Sequence, residues 1–217
     1  MSEIPTDAFA SILEELKQRP LDVNHYRGNA GDGRSQAFGV VNKRCQPPDY
    51  SRQCWLRPYL YKLLLDFGET YVDLSFNAIT LNQGYKAEPH YDKHNRGDSF
   101  LVAFGDYTGG ELEIHEGPLK GLHDIRNKPI KADFSKILHS VRPFQGNRCS
   151  LVYYNFWMPN LKPLPAPSVR EEKGKYYFYR GDEKITTKTG LEHPLRGRKK
   201  GQEGIQTEEK QVEVTFT

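Results

Sequence analysis

The sequence predicts a mainly β chain with flanking helices, folded as a sandwich or jelly roll. Three observations predict it. From Tyr71 to Phe156 the apolar residues recur with a period of two, the pattern of strands with one buried face. The runs are short and punctuated by Gly84, Gly97, Gly109-Gly110, Gly117 and Gly146, as all-β domains with many turns require. Before Tyr71 the apolar spacing is that of amphipathic helices, which places two of them ahead of the sheets.

Thr6 to Arg19 reads as the first helix. Phe9, Ile12, Leu13 and Leu16 share one face, Thr6 is the candidate cap, and Pro20 stops the run. A loop from Asn24 to Arg34 follows, rich in glycine but without the Gly-Lys-Ser/Thr of a phosphate-binding loop. Ser35 to Asn42 reads as a strand, and Pro47-Pro48 as a break. Trp55 to Phe67 is the second helix, with Pro58 in its first turn and Gly68 as its C-cap. Strands are expected at Val72–Asn82, Ser99–Gly105, Glu111–His115, Asp124–Ile125, Pro129–Phe134 and Cys149–Phe156. Asp106 to Gly110 between them reads as a turn built on glycine φ > 0.

After Pro159 the composition shifts. Leu161 to Pro167 reads as a stiff connector, and Lys175–Tyr179 with Lys184–Thr189 as a hairpin around Arg180-Gly-Asp-Glu. Arg196 to Lys200 is a short basic segment, and Gln211 to Thr217 alternates like an edge strand. The expected organisation is therefore residues 1–160 as one domain with N-terminal helices, and 161–217 as an extension packed on it.

Composition excludes several classes. Among 217 residues, 31 Lys and Arg against 28 Asp and Glu leave a formal net charge of +3, too little to indicate nucleic acid by itself. Cys45, Cys54 and Cys149 are odd in number and lack CxxC spacing, which argues against a disulfide framework or a zinc site. No basic leader precedes an apolar run and no stretch is long enough to span a bilayer, so a soluble intracellular protein, nuclear or cytoplasmic, is expected.

Chemistry concentrates in three residues. His90 and Asp92 stand as His-x-Asp, and positions i and i+2 of an extended strand point the same way. With His139 arriving from a second strand they compose two imidazoles and one carboxylate, the facial set that suits non-haem Fe(II) and leaves the opposite positions open. His94 is a rival within His90-x-Asp92-x-His94, but three consecutive same-face positions would not leave open sites as readily. Arg148, nine residues after His139, and Ser150 beside it can hold a distal carboxylate through charge-assisted hydrogen bonds. Arg142 is the alternative anchor, although Pro143 breaks the strand alternation around it.

His90-x-Asp92, then Phe104-Gly-Asp-Tyr-Thr-Gly-Gly-Glu-Leu112, then His139 with Arg148-x-Ser150, resemble the 2-oxoglutarate- and Fe(II)-dependent dioxygenases. Within them the pattern, covering Phe76 to Tyr154, is most similar to the Tet/JBP branch, which oxidises methyl groups of pyrimidine bases in DNA. The resemblance implies a double-stranded β-helix (jelly roll) and the cofactors Fe(II), 2-oxoglutarate and O2. It implies His90, Asp92 and His139 as metal ligands, with Arg148, Ser150, Asn82 and Tyr85 around 2-oxoglutarate. DNA is the implied partner, with Asn95 and Arg34 as candidates for contacting it. A prolyl-hydroxylase-like protein or amino-acid hydroxylase fits the same His-x-Asp and Gly-Gly-Glu-Leu patterns. A binding module that has lost catalysis is disfavoured by the complete set of metal and anchor residues.

Overall fold

The computed structural model describes residues 2–23, 33–43, 46–156 and 164–186. The glycine-rich loop, Arg196 to Lys200 and the expected C-terminal strand lie outside them. Most described elements are short antiparallel strands: β1 (Arg34–Lys43), β2 (Gln46–Tyr50), β3 (Ala78–Gln83), β4 (Asn95–Phe104), β5 (Tyr107–Gly109), β6 (Leu112–Ile114), β7 (Gly121–His123), β8 (Ile130–Ala132), β9 (His139–Val141), β10 (Phe144–Gly146) and β11 (Cys149–Phe156). One six-stranded sheet has the order β2-β1-β3-β11-β4-β8, and a smaller one has the order β7-β6-β9. His90 pairs with His139 on the free side of β9, standing where a further strand of the small sheet would run.

Counted in chain order from β3, with the His90 segment second, the large sheet contains strands 1-8-3-6 and the small sheet 2-7-4-5. That alternation between two facing sheets is the jelly roll, one of the two architectures the sequence pattern predicts and the one the resemblance implies. β5 and β10 pair with each other as an additional ladder between these strands.

The period of two sorts β4 cleanly. Phe100, Val102 and Phe104 join one core cluster with the helices, while Leu101 and Ala103 join a second with Leu112, Ile114, Ala132 and Phe134. The second cluster fills the space between the sheets. The first is covered by a 3-10 turn (Thr6–Phe9) continuing into α1 (Ala10–Gln18), and by α2 (Gln53–Leu56) and α3 (Pro58–Tyr71). Phe9 stacks on Phe104 with centroids 4.5 Å apart, and the Tyr153 hydroxyl donates to the Leu64 carbonyl at 2.7 Å, tying sheet to α3.

Several local expectations are corrected. Thr6 makes no cap; its Oγ1 accepts from Asn127 Nδ2 at 3.0 Å instead. Pro47-Pro48 do not break the chain but lie in β2, an edge strand, at the irregularity where its register with β1 shifts between Asp49 and Gln46. The expected second helix is two helices. Arg57, preceding Pro58, is forced out of the helical region to φ −133, ψ 57, and α3 restarts at the proline. Gly68 is not a cap either. It lies inside α3, where a Cβ would come 2.5 Å from Phe76 Cζ. The strand expected from Val72 begins at Ala78, and the one expected at Asp124–Ile125 lies earlier, as β7.

Beyond residue 164, β12 (Pro167–Glu172), β13 (Lys175–Arg180) and β14 (Glu183–Ile185) form a separate three-stranded sheet. Gly181-Asp182 make the hairpin turn, as the Arg-Gly-Asp-Glu run suggests; the stretch read as connector passes into β12 at Pro167. Phe178 and Ile185 belong to the helix-side core, Phe178 with its ring edge on Tyr50. Among the described residues no helix is long and apolar enough to cross a membrane.

Candidate metal centre

His90 and His139 exchange two backbone hydrogen bonds, at 3.0 and 3.1 Å, so the two imidazoles stand side by side with ring centroids 4.3 Å apart. The Asp92 N–H donates to the Phe134 carbonyl at 3.0 Å, which brings the carboxylate in from the same segment. One ligand atom from each of His90, Asp92 and His139 lies within 4.8 Å of the others. Each histidine donates Nδ1–H to the carbonyl two residues before it, His90 to Glu88 at 2.8 Å and His139 to Ile137 at 2.9 Å. These bonds fix the tautomer and leave both Nε2 lone pairs for a ligand. Asp92 Oδ1 lies 3.4 Å from His90 Nε2, and Oδ2 lies 4.0 Å from His139 Nε2.

The electrostatics favour neutral imidazole at His139. Burial lowers its pKa below the ordinary 6.5, against the opposing pull of the Ile137 carbonyl and Asp92. His139 is 5% exposed at its side chain and His90 42%, so the cluster sits at the wall of an open cavity.

That cavity has a volume of about 610 Å³ and is also lined by Arg148, Ser150, Asn82 and Tyr85. Arg148 is buried, and its Nε donates to the Gly110 carbonyl at 3.0 Å. Burial lowers its pKa, yet a guanidinium remains charged at any pH where the protein is folded. The aromatic rings of Tyr107 and Phe144 each lie 5.6 Å from its Cζ. Asn82 Nδ2 donates to Ser150 Oγ at 3.2 Å, because Asn82 and Ser150 are directly paired between β3 and β11. Asn82 Oδ1 is buried with no hydrogen-bond partner among the described residues. A cation and an amide with an unused atom thus border the same space as the three donors.

Gly110 makes the Arg148 position possible. Its φ is +77, and a Cβ there would lie 2.8 Å from Arg148 Cδ and 3.0 Å from Nε. Gly110→Ala therefore combines left-handed backbone strain of about 1–2 kcal/mol with overpacking of about 1–3 kcal/mol. Gly117 has φ +79 and nothing within 4 Å of a Cβ, so Gly117→Ala carries the backbone cost alone. Urea unfolding of the two variants should show the larger loss for Gly110→Ala; equal losses would mean that Arg148 moves aside freely.

The remaining candidates divide between the cavity and places away from it. Arg34 is not at the cavity. In the β1–β3 register it pairs with Gln83, on the opposite face from Asn82, and its Nη1 donates to the Leu21 carbonyl at 2.8 Å. It secures the segment after α1. Asn95 borders the cavity but is buried, with its amide on Asp92 and Ser99. Arg142 is exposed and faces Glu113 at 3.4 Å, so the alternative anchor points away. His94 lies on the cavity rim with its ring 6.1 Å from Phe156. Sequence reading missed Asn42, Thr80 and Tyr154 as lining residues. Thr80 and Tyr154 were recoverable, since they share strand parity with Asn82 and Ser150.

The fold and site together define a jelly roll with a three-donor cluster and a buried cation on one cavity. No protein-family model matches the chain, and no curated protein sequence matches it. Many solved structures are similar in shape, three of them as follows. NgTET1 in complex with 5mC DNA shares 14% identity at a TM-score of 0.48, over 70% of this chain and 69% of that one. An oxidoreductase of the 2OG-Fe(II) oxygenase family from Burkholderia pseudomallei shares 16% at 0.44, over 66% and 75%. A Pseudomonas putida prolyl-4-hydroxylase shares 15% at 0.45, over 70% and 88%.

Proposed function

We propose that the chain is an Fe(II)- and 2-oxoglutarate-dependent dioxygenase that hydroxylates a substrate C–H bond. The preferred substrate is the methyl group of a pyrimidine base in DNA, 5-methylcytosine or thymine. The observation that carries the reading is the convergence of His90 Nε2, Asp92 and His139 Nε2, both imidazoles oriented by backbone carbonyls, beside a cavity that also holds Arg148.

The donor set fits the metal. Two neutral nitrogens and one carboxylate leave positions open toward the cavity, as non-haem Fe(II) chemistry needs. The residues around Arg148 fit the co-substrate. Its guanidinium takes the distal carboxylate, the Ser150 hydroxyl and the Asn82 amide lie alongside, and Tyr85 borders the same space. When bound there, Fe(II) with 2-oxoglutarate and O2 supplies conversion of C–H to C–OH, coupled to conversion of 2-oxoglutarate to succinate and CO2. The chain's own contribution is binding, orientation and exclusion of water. Leu101, Leu112, Ile125 and Val152 give the cavity an apolar wall for that purpose.

A base in duplex DNA must leave the stack to reach such a site. Tyr154, Phe156 and His94 line the cavity and offer rings against which a flipped base can stack. Lys93 is an exposed cation beside Asp92, and Arg196 to Lys200 add cations in the C-terminal segment. The expected result is oxidised pyrimidine detected by mass spectrometry of nucleosides after incubation of DNA with Fe(II) and 2-oxoglutarate. DNA binding should weaken as salt rises, with a shallower slope once the Arg196 to Lys200 cations are neutralised. A hydroxylated peptide or amino acid, with no oxidised base in DNA or RNA, would move the substrate to the prolyl-hydroxylase-like class.

A further inference from the structure

We propose that Asn95 is a positioning residue of the metal centre, holding one oxygen of Asp92 so that the carboxylate presents the other. This rests on the reading of His90, Asp92 and His139 as metal ligands. The Asn95 N–H donates to the Asp92 carbonyl at 2.9 Å, closing a four-residue turn that folds the Asn95 side chain back toward that carboxylate. Asn95 Nδ2 then donates to Asp92 Oδ2 at 3.3 Å and to Ser99 Oγ at 3.1 Å. Asn95 is 7% exposed and Ser99 0%, so neither bond is exchanged readily with water.

The amide orientation follows from charge. An ionised carboxylate only accepts, so the amide nitrogen and not the oxygen must face it. Both hydrogens of that nitrogen are committed, one to Asp92 and one to Ser99, which leaves none to read a base. Oδ1 takes no part in these bonds and is the oxygen 3.4 Å from His90 Nε2. With Oδ2 tethered, the carboxylate is held against rotation about its last bond and is prepared to bind through one oxygen. Outer partners of this kind orient metal ligands, and their loss costs about 10–100-fold in affinity.

The test is titration of the full chain with Co(II), followed by calorimetry and by visible absorption. The variants are Asn95→Leu, which removes the donor at similar size, Ser99→Ala, which frees the amide, and His139→Ala. Asn95→Leu should weaken Co(II) binding about 10–100-fold and shift the absorption bands, with Ser99→Ala moving both in the same direction by less. The KM for 2-oxoglutarate should stay near the wild-type value in both. Wild-type affinity and spectrum in Asn95→Leu, with a raised substrate KM, would overturn the proposal and return Asn95 to substrate contact. Should Asn95→Leu fail to fold, an unchanged affinity and spectrum in Ser99→Ala overturns it equally. If the wild type itself binds no Co(II), the metal-centre reading fails and takes the proposal with it. If binding is lost only in His139→Ala, the proposal alone fails.

Discussion

His139→Ala should abolish both tight Fe(II) binding and 2-oxoglutarate turnover. The substitution removes a buried nitrogen donor whose orientation is preset by the Ile137 carbonyl. Loss of an outer-shell partner already costs about 10–100-fold, so loss of a direct ligand should exceed roughly 100-fold. The backbone pairing of His139 with His90 does not depend on the imidazole, so the strand arrangement should persist. Asp92→Ala should be as severe, because it removes the anionic ligand and leaves two neutral donors. Calorimetric titration of folded protein, with circular dichroism as the control, measures the first effect, and succinate formation the second. Wild-type turnover in His139→Ala would sink the metal assignment.

Arg148→Ala should raise the KM for 2-oxoglutarate strongly while leaving metal affinity nearly intact. A buried charge-assisted pair that loses one partner costs on the order of 2–5 kcal/mol, tens-fold to thousands-fold in binding. The separation from the metal follows from place: Arg148 Nε is bound to the Gly110 carbonyl, whereas the two imidazoles are oriented by the Glu88 and Ile137 carbonyls. The variant also leaves the Gly110 carbonyl without its donor, worth about 1–3 kcal/mol of stability, so affinities should be measured well below its melting transition. Arg142→Ala is the control. Its guanidinium is exposed and faces Glu113, and a KM effect there in place of Arg148 would mean the anchor is misassigned.

What the sequence by itself determined is local. The period of two announced a β protein, the Cys149–Phe156 strand was legible to the residue, and His-x-Asp put two donors on one short segment. Such features need only the alternation of an extended chain and the chemistry of the side chains. Even the break between α2 and α3 was written locally, in the residue before Pro58.

Tertiary structure decided whatever depends on register or on partners distant in sequence. Arg34 adjoins a glycine-rich loop and read as a candidate for contacting DNA. Only its pairing with Gln83 puts it on the helix side, and a shift of one residue would have reversed that. Gly110 reads as a turn residue from its neighbours, yet its contact with Arg148, 38 residues away, is what a side chain there would destroy. His90 and Asp92 meet His139 because backbone pairing across the small sheet draws together segments 49 residues apart (139 − 90). Asn95 is half of each kind: the turn that closes on Asp92 is local, but the burial that keeps water from its amide comes with the packing of β4 into the large sheet.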